Sequence, residues 1–316
     1  MLNGLYQKYI VDPLTKTLRN ELYHHQQKFL SEVDKLKLQN GKILCNQLLS
    51  NNSISNIQDA EFQVFSQWGD DGIIQYLINK VGVKNKTFIE FGVQDYSESN
   101  TRFLLMNNNW KGLIIDSDKQ FMDSVKHDAM YWRHDLTAHC AFITVENVNS
   151  LFTDNGFKGN IGILSVDIDG NDYWVWENIS SVDADIVIVE YNSLFGGKHA
   201  ITVPYNPSFY RGNAHYSHLY WGTSVKALCH LAEKKGYIFV GCNSNGNNTY
   251  FVKKEKANGL KALTAEEGYV ESRFRESRDK NGLLTFAGGA ERVKLIEEME
   301  VFDVEKNKTF KIKDLA

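Results

Sequence analysis

Apolar and polar positions divide the chain into three stretches. In the first, residues 1–60, Leu18, Leu22, Phe29, Val33 and Leu36 recur at spacings of 4, 7, 4 and 3. That is the stripe of a helix that packs on its own domain or pairs with a second subunit. Residues 49–53, Leu-Ser-Asn-Asn-Ser, read as a loop. Residues 61–255 alternate β-rich runs with helical patterns, the runs covering 87–91, 112–116, 140–145, 161–167 and 186–190. Their near-continuous hydrophobicity is that of parallel strands buried on both faces. Two later runs, 237–241 and 248–252, flank Cys242-Asn243-Ser244-Asn245-Gly246-Asn247, whose turn chemistry predicts an antiparallel hairpin at one sheet edge. The expected fold is α/β, a doubly wound, mostly parallel, Rossmann-like sheet of seven strands with an N-terminal helical extension. Residues 256–316 read as a charged α/β extension in which no chemistry is visible.

Length and composition agree with this picture, since 316 residues with 42% hydrophobic content and 3 Pro suffice for one full α/β core. A net charge of −4 without clustered Lys and Arg argues against a nucleic-acid partner. The four cysteines, Cys45, Cys140, Cys229 and Cys242, form no Cys-x-x-Cys pair and suggest neither disulfides nor a zinc site. Met1-Leu2-Asn3-Gly4 does not begin a signal peptide, and no apolar run approaches the ~20 residues of a membrane span. A cytoplasmic protein without a transmembrane segment is the expectation.

In an open α/β sheet, ligands sit beyond the carboxyl ends of the strands. The first such end is Glu90-Phe91-Gly92-Val93-Gln94-Asp95. Gly92 lets backbone approach a ligand closely, and Glu90 offers a carboxylate to an ammonium group or an ordered water. The later glycines of a G-x-G-x-x-G are missing, which disfavours a dinucleotide and makes a dehydrogenase the weakest choice. At the second strand end, Asp116 is placed to accept hydrogen bonds from ribose hydroxyls or to cap the next helix, for which Asp118 is the more natural candidate.

Glu90-Phe91-Gly92-Val93-Gln94-Asp95 with Ser99-Asn100-Thr101 resembles the start of an FkbM-type class I methyltransferase. Similar family style appears in Ser66-Gln67-Trp68-Gly69-Asp70-Asp71-Gly72-Ile73, in Leu164-Ser165-Val166-Asp167-Ile168-Asp169-Gly170-Asn171-Asp172, in Ile188-Val189-Glu190-Tyr191-Asn192 and in Gly222-Thr223-Ser224. The resemblance spans roughly residues 66 to 252. It implies S-adenosylmethionine as methyl donor and O-methylation of a hydroxyl, often on a sugar of a polysaccharide or glycoconjugate. On that basis the candidate donor-binding residues are Gln67, Glu90, Gly92, Asp95, Asn100, Asp116, Asp135 and Asp167, with Asp135 near the adenine after the third strand. Gln67 and Asp70 would close the methionine end, although Asp70 or Asp71 is equally natural as a helix N-cap.

Acids crowd the fourth and fifth strand ends and need a cation or hydrogen bonds to offset their repulsion. One reading is a divalent metal such as Mg²⁺ held by Asp167, Asp169, Glu190 and Asn192, gripping the acceptor's hydroxyls. A second is metal-free catalysis with Asp169, His218 or His215 taking the hydroxyl proton. A third is structural, with Asp172 capping a helix near Tyr173. Asp167-x-Asp169-Gly170-x-Asp172 mimics a calcium loop, but its Gly stands at position four and Asn178 at position twelve. Tyr210, Tyr216, Tyr220 and Trp221 would stack on a sugar, close over a cofactor or simply pack. The alternative to an enzyme is a non-catalytic donor-binding or assembly module that acts through its N-terminal helices.

Overall fold

A computed structural model of the chain describes residues 11–50 and 54–315. The central sheet is built from β1 (Thr87–Phe91), β2 (Lys111–Asp116), β3 (Leu136–Cys140), β4 (Gly159–Val166), β5 (Val182–Glu190), β7 (Tyr237–Cys242) and β8 (Asn248–Lys253), while β6 (Ile201–Thr202) lies outside it. Its order is β3-β2-β1-β4-β5-β8-β7, with β8 the strand that runs antiparallel to its neighbours. The sheet is seven-stranded, mostly parallel and flanked by helices on both faces, as the hydrophobic pattern predicts. Alternate residues serve opposite cores. Ile89, Leu164 and Val187 face one cluster, and Phe88, Ile163 and Ile186 face the other. Both faces are buried, which is why these strands read as unbroken apolar runs. The chain winds outward from β1 to β3, then returns to place β4 on the other side of β1, so the switch point lies between β1 and β4.

Two boundaries differ from expectation. The third strand is Leu136–Cys140 and not 140–145. Beyond Cys140 the chain turns, held by Asn147, which accepts from the Thr144 N–H and donates to the Phe142 carbonyl. This edge strand has a half-exposed, alternating face, so its hydrophobic signal is weaker than that of the apolar turn after it. The N-terminal helix runs Asp12–Ser50, taking in Leu49 and Ser50 of the anticipated loop. Residues 51–53 of that loop lie outside the described residues.

The C-terminal stretch forms β9 (Glu300–Asp303) and β10 (Lys308–Lys311), which extend β6 into a three-stranded sheet. Ile296, Val301 and Ile312 pack with Phe195, Ile201, Leu219 and Tyr220. The tail thus buttresses the segment that follows β5. Among the described residues, no helix is long and apolar enough to cross a membrane.

Candidate functional site

A cavity of about 290 Å³ opens at the carboxyl ends of β1, β2, β3 and β4, beside the switch point. Its floor is Gly92, Asp116 and Asp167, one wall is Ala141–Ile143, and its roof is the 209–212 segment with His218. Gly92 has φ +66°, and a Cβ there would lie 1.8 Å from the Asp167 carbonyl oxygen. Only glycine permits the β1 and β4 tips to approach so closely. Two residues later, where a dinucleotide fingerprint places its second glycine, Gln94 adopts φ +49° and lines the cavity.

Asp116 is fixed at the rim by two backbone donors, the N–H of Gln94 to one carboxylate oxygen and that of Asp118 to the other, both at 2.8 Å. Each oxygen retains a free lone pair for a further donor. Asp118 caps the following helix through the Gln120 and Phe121 N–H groups, leaving Asp116 free of that task.

Glu90 has a different role from the expected ammonium contact. Its buried carboxylate accepts from Ser99 Oγ, the Asn100 N–H, and both the N–H and the hydroxyl of Thr101. It shapes the 99–101 turn beneath the cavity and does not line it. Burial pushes its pKa up, and these hydrogen bonds oppose the shift. Asn100 is drawn into the same turn, its Nδ2 donating to Ser165 Oγ. Asp95 is exposed and accepts from the Ser97 N–H, and Gln67 is exposed ahead of the helix Asp70–Val81; neither lines the cavity. Asp70 and Asp71 begin that helix but do not cap it. Asp70 accepts from Asn243, Asn248 and Tyr250, and Asp71 from the backbone of 64–66.

Asp135 is corrected by the revised third strand. It precedes Leu136, so it sits at the amino end of the parallel sheet, exposed and 4.0 Å from Lys111 Nζ, opposite the cavity. The cavity wall after β3 is instead Ala141, Phe142 and Ile143.

The acids at the fourth and fifth tips separate into three roles. Asp172 is fully buried and binds back to the Ile168 and Gly170 N–H groups, closing its own loop; burial raises its carboxyl to about 7 against those hydrogen bonds. Asp167 lines the cavity, and the buried Glu190 carboxyl lies close enough to couple to it. Burial, then mutual and neighbouring negative charge, drives both carboxyls upward, so the pair holds a proton that isolated carboxylates would release. Asp169 adopts φ +54° and pairs with Arg211 at 2.9 Å.

Arg211, which no sequence motif marks, organises the roof. It also binds Glu276 at 3.0 Å and the His218 carbonyl at 2.8 Å, and its guanidinium stacks 4.9 Å from the Trp221 ring. Its signal was a single Arg between Tyr210 and Gly212 in an aromatic-rich loop. His218 reaches the cavity with φ +59°; His215 does not, and instead binds Ser217 Oγ. Of the aromatic residues, Tyr220 and Trp221 are packing, while Tyr210 stands 63% exposed at the mouth.

The anticipated metal set is not assembled. Asn192 spends its amide on the Leu219 and Trp221 carbonyls and the Leu194 N–H. Asp169 is drawn to Arg211, and among the described residues no three His, Cys, Asp or Glu side chains are arranged to hold an ion.

No protein-family profile and no curated protein matches the chain. Among solved structures it is similar to the O-methyltransferase from Bacillus cereus in complex with SAH, at 10% identity and TM-score 0.35, covering 66% of this chain and 90% of that one. It is likewise similar to the O-methyltransferase TomG from Streptomyces achromogenes in complex with SAM (12%, TM-score 0.36, covering 65% and 90%). The SAH-bound N-terminal domain of EvdMO1 gives 9% and 0.38, covering 60% and 80%. At such identities and superpositions, the fold assignment rests on the chain's own strand order.

Proposed function

We propose that this chain is an S-adenosylmethionine-dependent O-methyltransferase whose acceptor is a hydroxyl of a sugar. The observation that carries the reading is Asp116, a carboxylate pinned by two backbone N–H groups at the rim of a cavity beside the switch point. The residues fit the donor. Asp116 suits a ribose diol, Gly92 lets the β4 tip close against β1 while itself lining the cavity where the methionine portion would lie, and Ala141–Ile143 offer an apolar wall to the base. The absence of glycine at 94 and 97 leaves no cradle for a pyrophosphate. When bound, the donor supplies a methyl group already activated on a sulfonium.

The protein's part is alignment and proton removal. With the shared proton held on Glu190, Asp167, which faces the cavity, is the carboxylate that accepts the hydroxyl proton. Asp169, His218 and Tyr210 border the acceptor mouth, and Arg211 holds Asp169 in place. Clustered hydroxyl-compatible polar groups beside an exposed tyrosine suit a sugar. The test has two parts: calorimetry with SAH, then transfer of labelled methyl from S-adenosylmethionine to a panel of nucleotide-activated and polymeric sugars. Micromolar SAH binding and a labelled sugar are expected. A folded protein that does not bind SAH would refute the reading, and labelling confined to non-sugar acceptors would overturn the substrate class.

A further inference from the structure

Residues 277–285 of the C-terminal stretch fold into a small hairpin beside the roof. Arg278 and Leu284 pair antiparallel, and the Thr285 N–H donates to the Ser277 carbonyl at 2.9 Å. The Asp279 carboxylate closes the turn by accepting from the N–H groups of Asn281 and Leu283. The Arg278 N–H donates to the Ser217 carbonyl and Glu276 reaches Arg211, so the hairpin is tied to the segment that covers the cavity. Its outer part stands clear of the body, since a Cβ on Gly282, Gly288 or Gly289 would meet no neighbouring atom within 4 Å. There Leu283, Leu284 and Phe286 are 66%, 48% and 56% exposed.

Basic residues surround these side chains. Residues 272–290 carry Arg273, Arg275, Arg278 and Lys280 against two carboxylates, in a chain whose net charge is −4. Both carboxylates are engaged within the protein, Glu276 by Arg211 and Arg278 and Asp279 by its own turn. Arg273, Arg275 and Lys280 are exposed and, among the described residues, have no carboxylate within 4.0 Å. Arg275 lies 6.0 Å from the centre of the Phe286 ring, and Lys280 lies 5.8 Å from that of Tyr216. Tyr216 is partly exposed and carries the surface toward the mouth, where Tyr210 stands.

We propose that this hairpin docks on an anionic lipid bilayer and, resting on the function proposed above, that the sugar entering the mouth is anchored in that bilayer. The chemistry selects lipid. Leu283 and Leu284 offer aliphatic groups on which a sugar ring cannot stack, while the unpaired cations beside them complement phosphate headgroups. Three apolar side chains on a projecting turn fall far short of the ~800 Å² per partner of a specific protein interface. They suffice for shallow insertion into a fluid surface, with the long basic side chains reaching back to headgroup level.

Flotation of the full chain with vesicles, without donor or acceptor, tests the docking surface. Wild type is expected to float with phosphatidylcholine vesicles containing about one third phosphatidylglycerol, and to stay unbound with pure phosphatidylcholine or in high salt. Leu283→Ser with Leu284→Ser and Phe286→Ser should lower the bound fraction roughly ten-fold, as should Arg275→Glu with Lys280→Glu. Thermal unfolding should not change, because all five side chains are exposed. A wild type that stays at the bottom of the gradient would overturn the proposal, as would either variant floating as well as wild type. Wild type that binds heparin but not vesicles would assign the cations to a soluble polymer and overturn it equally. For the acceptor, both variants should keep wild-type methyl transfer to a soluble sugar and lose transfer to the same sugar on a lipid tail in the anionic vesicles. Loss on both acceptors, or on neither, would overturn the anchored acceptor. A chain that floats but does not bind SAH would refute methyl transfer, and the anchored acceptor with it, while upholding the docking surface.

Discussion

The floor and the roof of the cavity are built by different means. On the floor, Asp116 is held by N–H groups 22 and 2 residues away, and Gly92 meets the β4 tip because parallel strands must lie side by side. On the roof, Arg211 ties together Asp169, the His218 carbonyl and Glu276, the last 65 residues away in the C-terminal stretch. The floor follows from strand and turn geometry. The roof also draws on the tail, which packs against the segment after β5 and brings the Glu276 carboxylate to Arg211. A local site tolerates change elsewhere, whereas an assembled one depends on every element that supports it.

The largest expected effect lies on the floor, at the carboxylate facing the acceptor. Asp167→Asn should lower methyl transfer by about 10²- to 10⁴-fold, the usual worth of general base catalysis, with SAH affinity within a few-fold of wild type by calorimetry. Full turnover in that variant would remove Asp167 as the proton acceptor. Asp116→Ala attacks the floor alone and should weaken SAH binding roughly 100-fold or more, since two hydrogen bonds to a charged acceptor are lost at ~1.5–3 kcal/mol each. Unchanged affinity in a folded variant would dismiss the donor-site assignment. Arg211→Met attacks the roof alone, with turnover falling by about ten-fold or more and SAH affinity unchanged. Faster amide exchange across residues 205–221 would accompany it, and an unaltered exchange pattern would mean that the roof does not need its arginine.

The smallest effect concerns stability under the site. The Asp172 carboxyl is raised from 3.8 to about 7 and that of Asp71 to about 6, in both cases because burial penalises the charged form. A raised carboxyl favours the folded state below the unfolded value and loses that contribution as pH climbs through the folded one. Wild type should therefore lose stability between about pH 4 and pH 7. Asp172→Asn should remove the upper part of this slope, gaining on wild type by roughly 5 °C in Tm across the window. Any constant offset from turning an amide toward a backbone N–H leaves the slope as the readout. Parallel curves for the two proteins would show that Asp172 is ionised throughout.

Much of the floor was legible before the structure. Gly92, Asp116 and Asp167 stand at the ends of apolar runs in the sequence, and all three line the cavity. Asp135 failed because the third strand begins earlier than its apolar signal suggests, reversing which end of the sheet the residue occupies. Glu90 and Asn192 carry the sequence signature of ligands, yet their oxygens and amide are consumed by neighbouring backbone and hydroxyl groups. A strand-end position does not disclose where a side chain turns. Arg211 and Glu276 were missed because neither carries a motif and their meeting spans the tail.

Hydrophobic periodicity alone determined that this chain forms a mostly parallel α/β sheet with a helical extension and a polar rim at its strand tips. Burying apolar runs on two faces leaves few alternatives. Tertiary structure alone decided which rim carboxylates face the cavity and which are spent on backbone, and that the C-terminal tail supplies the roof. Those outcomes depend on the pairing of hydrogen-bonding groups far apart in the chain, for which the sequence carries no periodic signal.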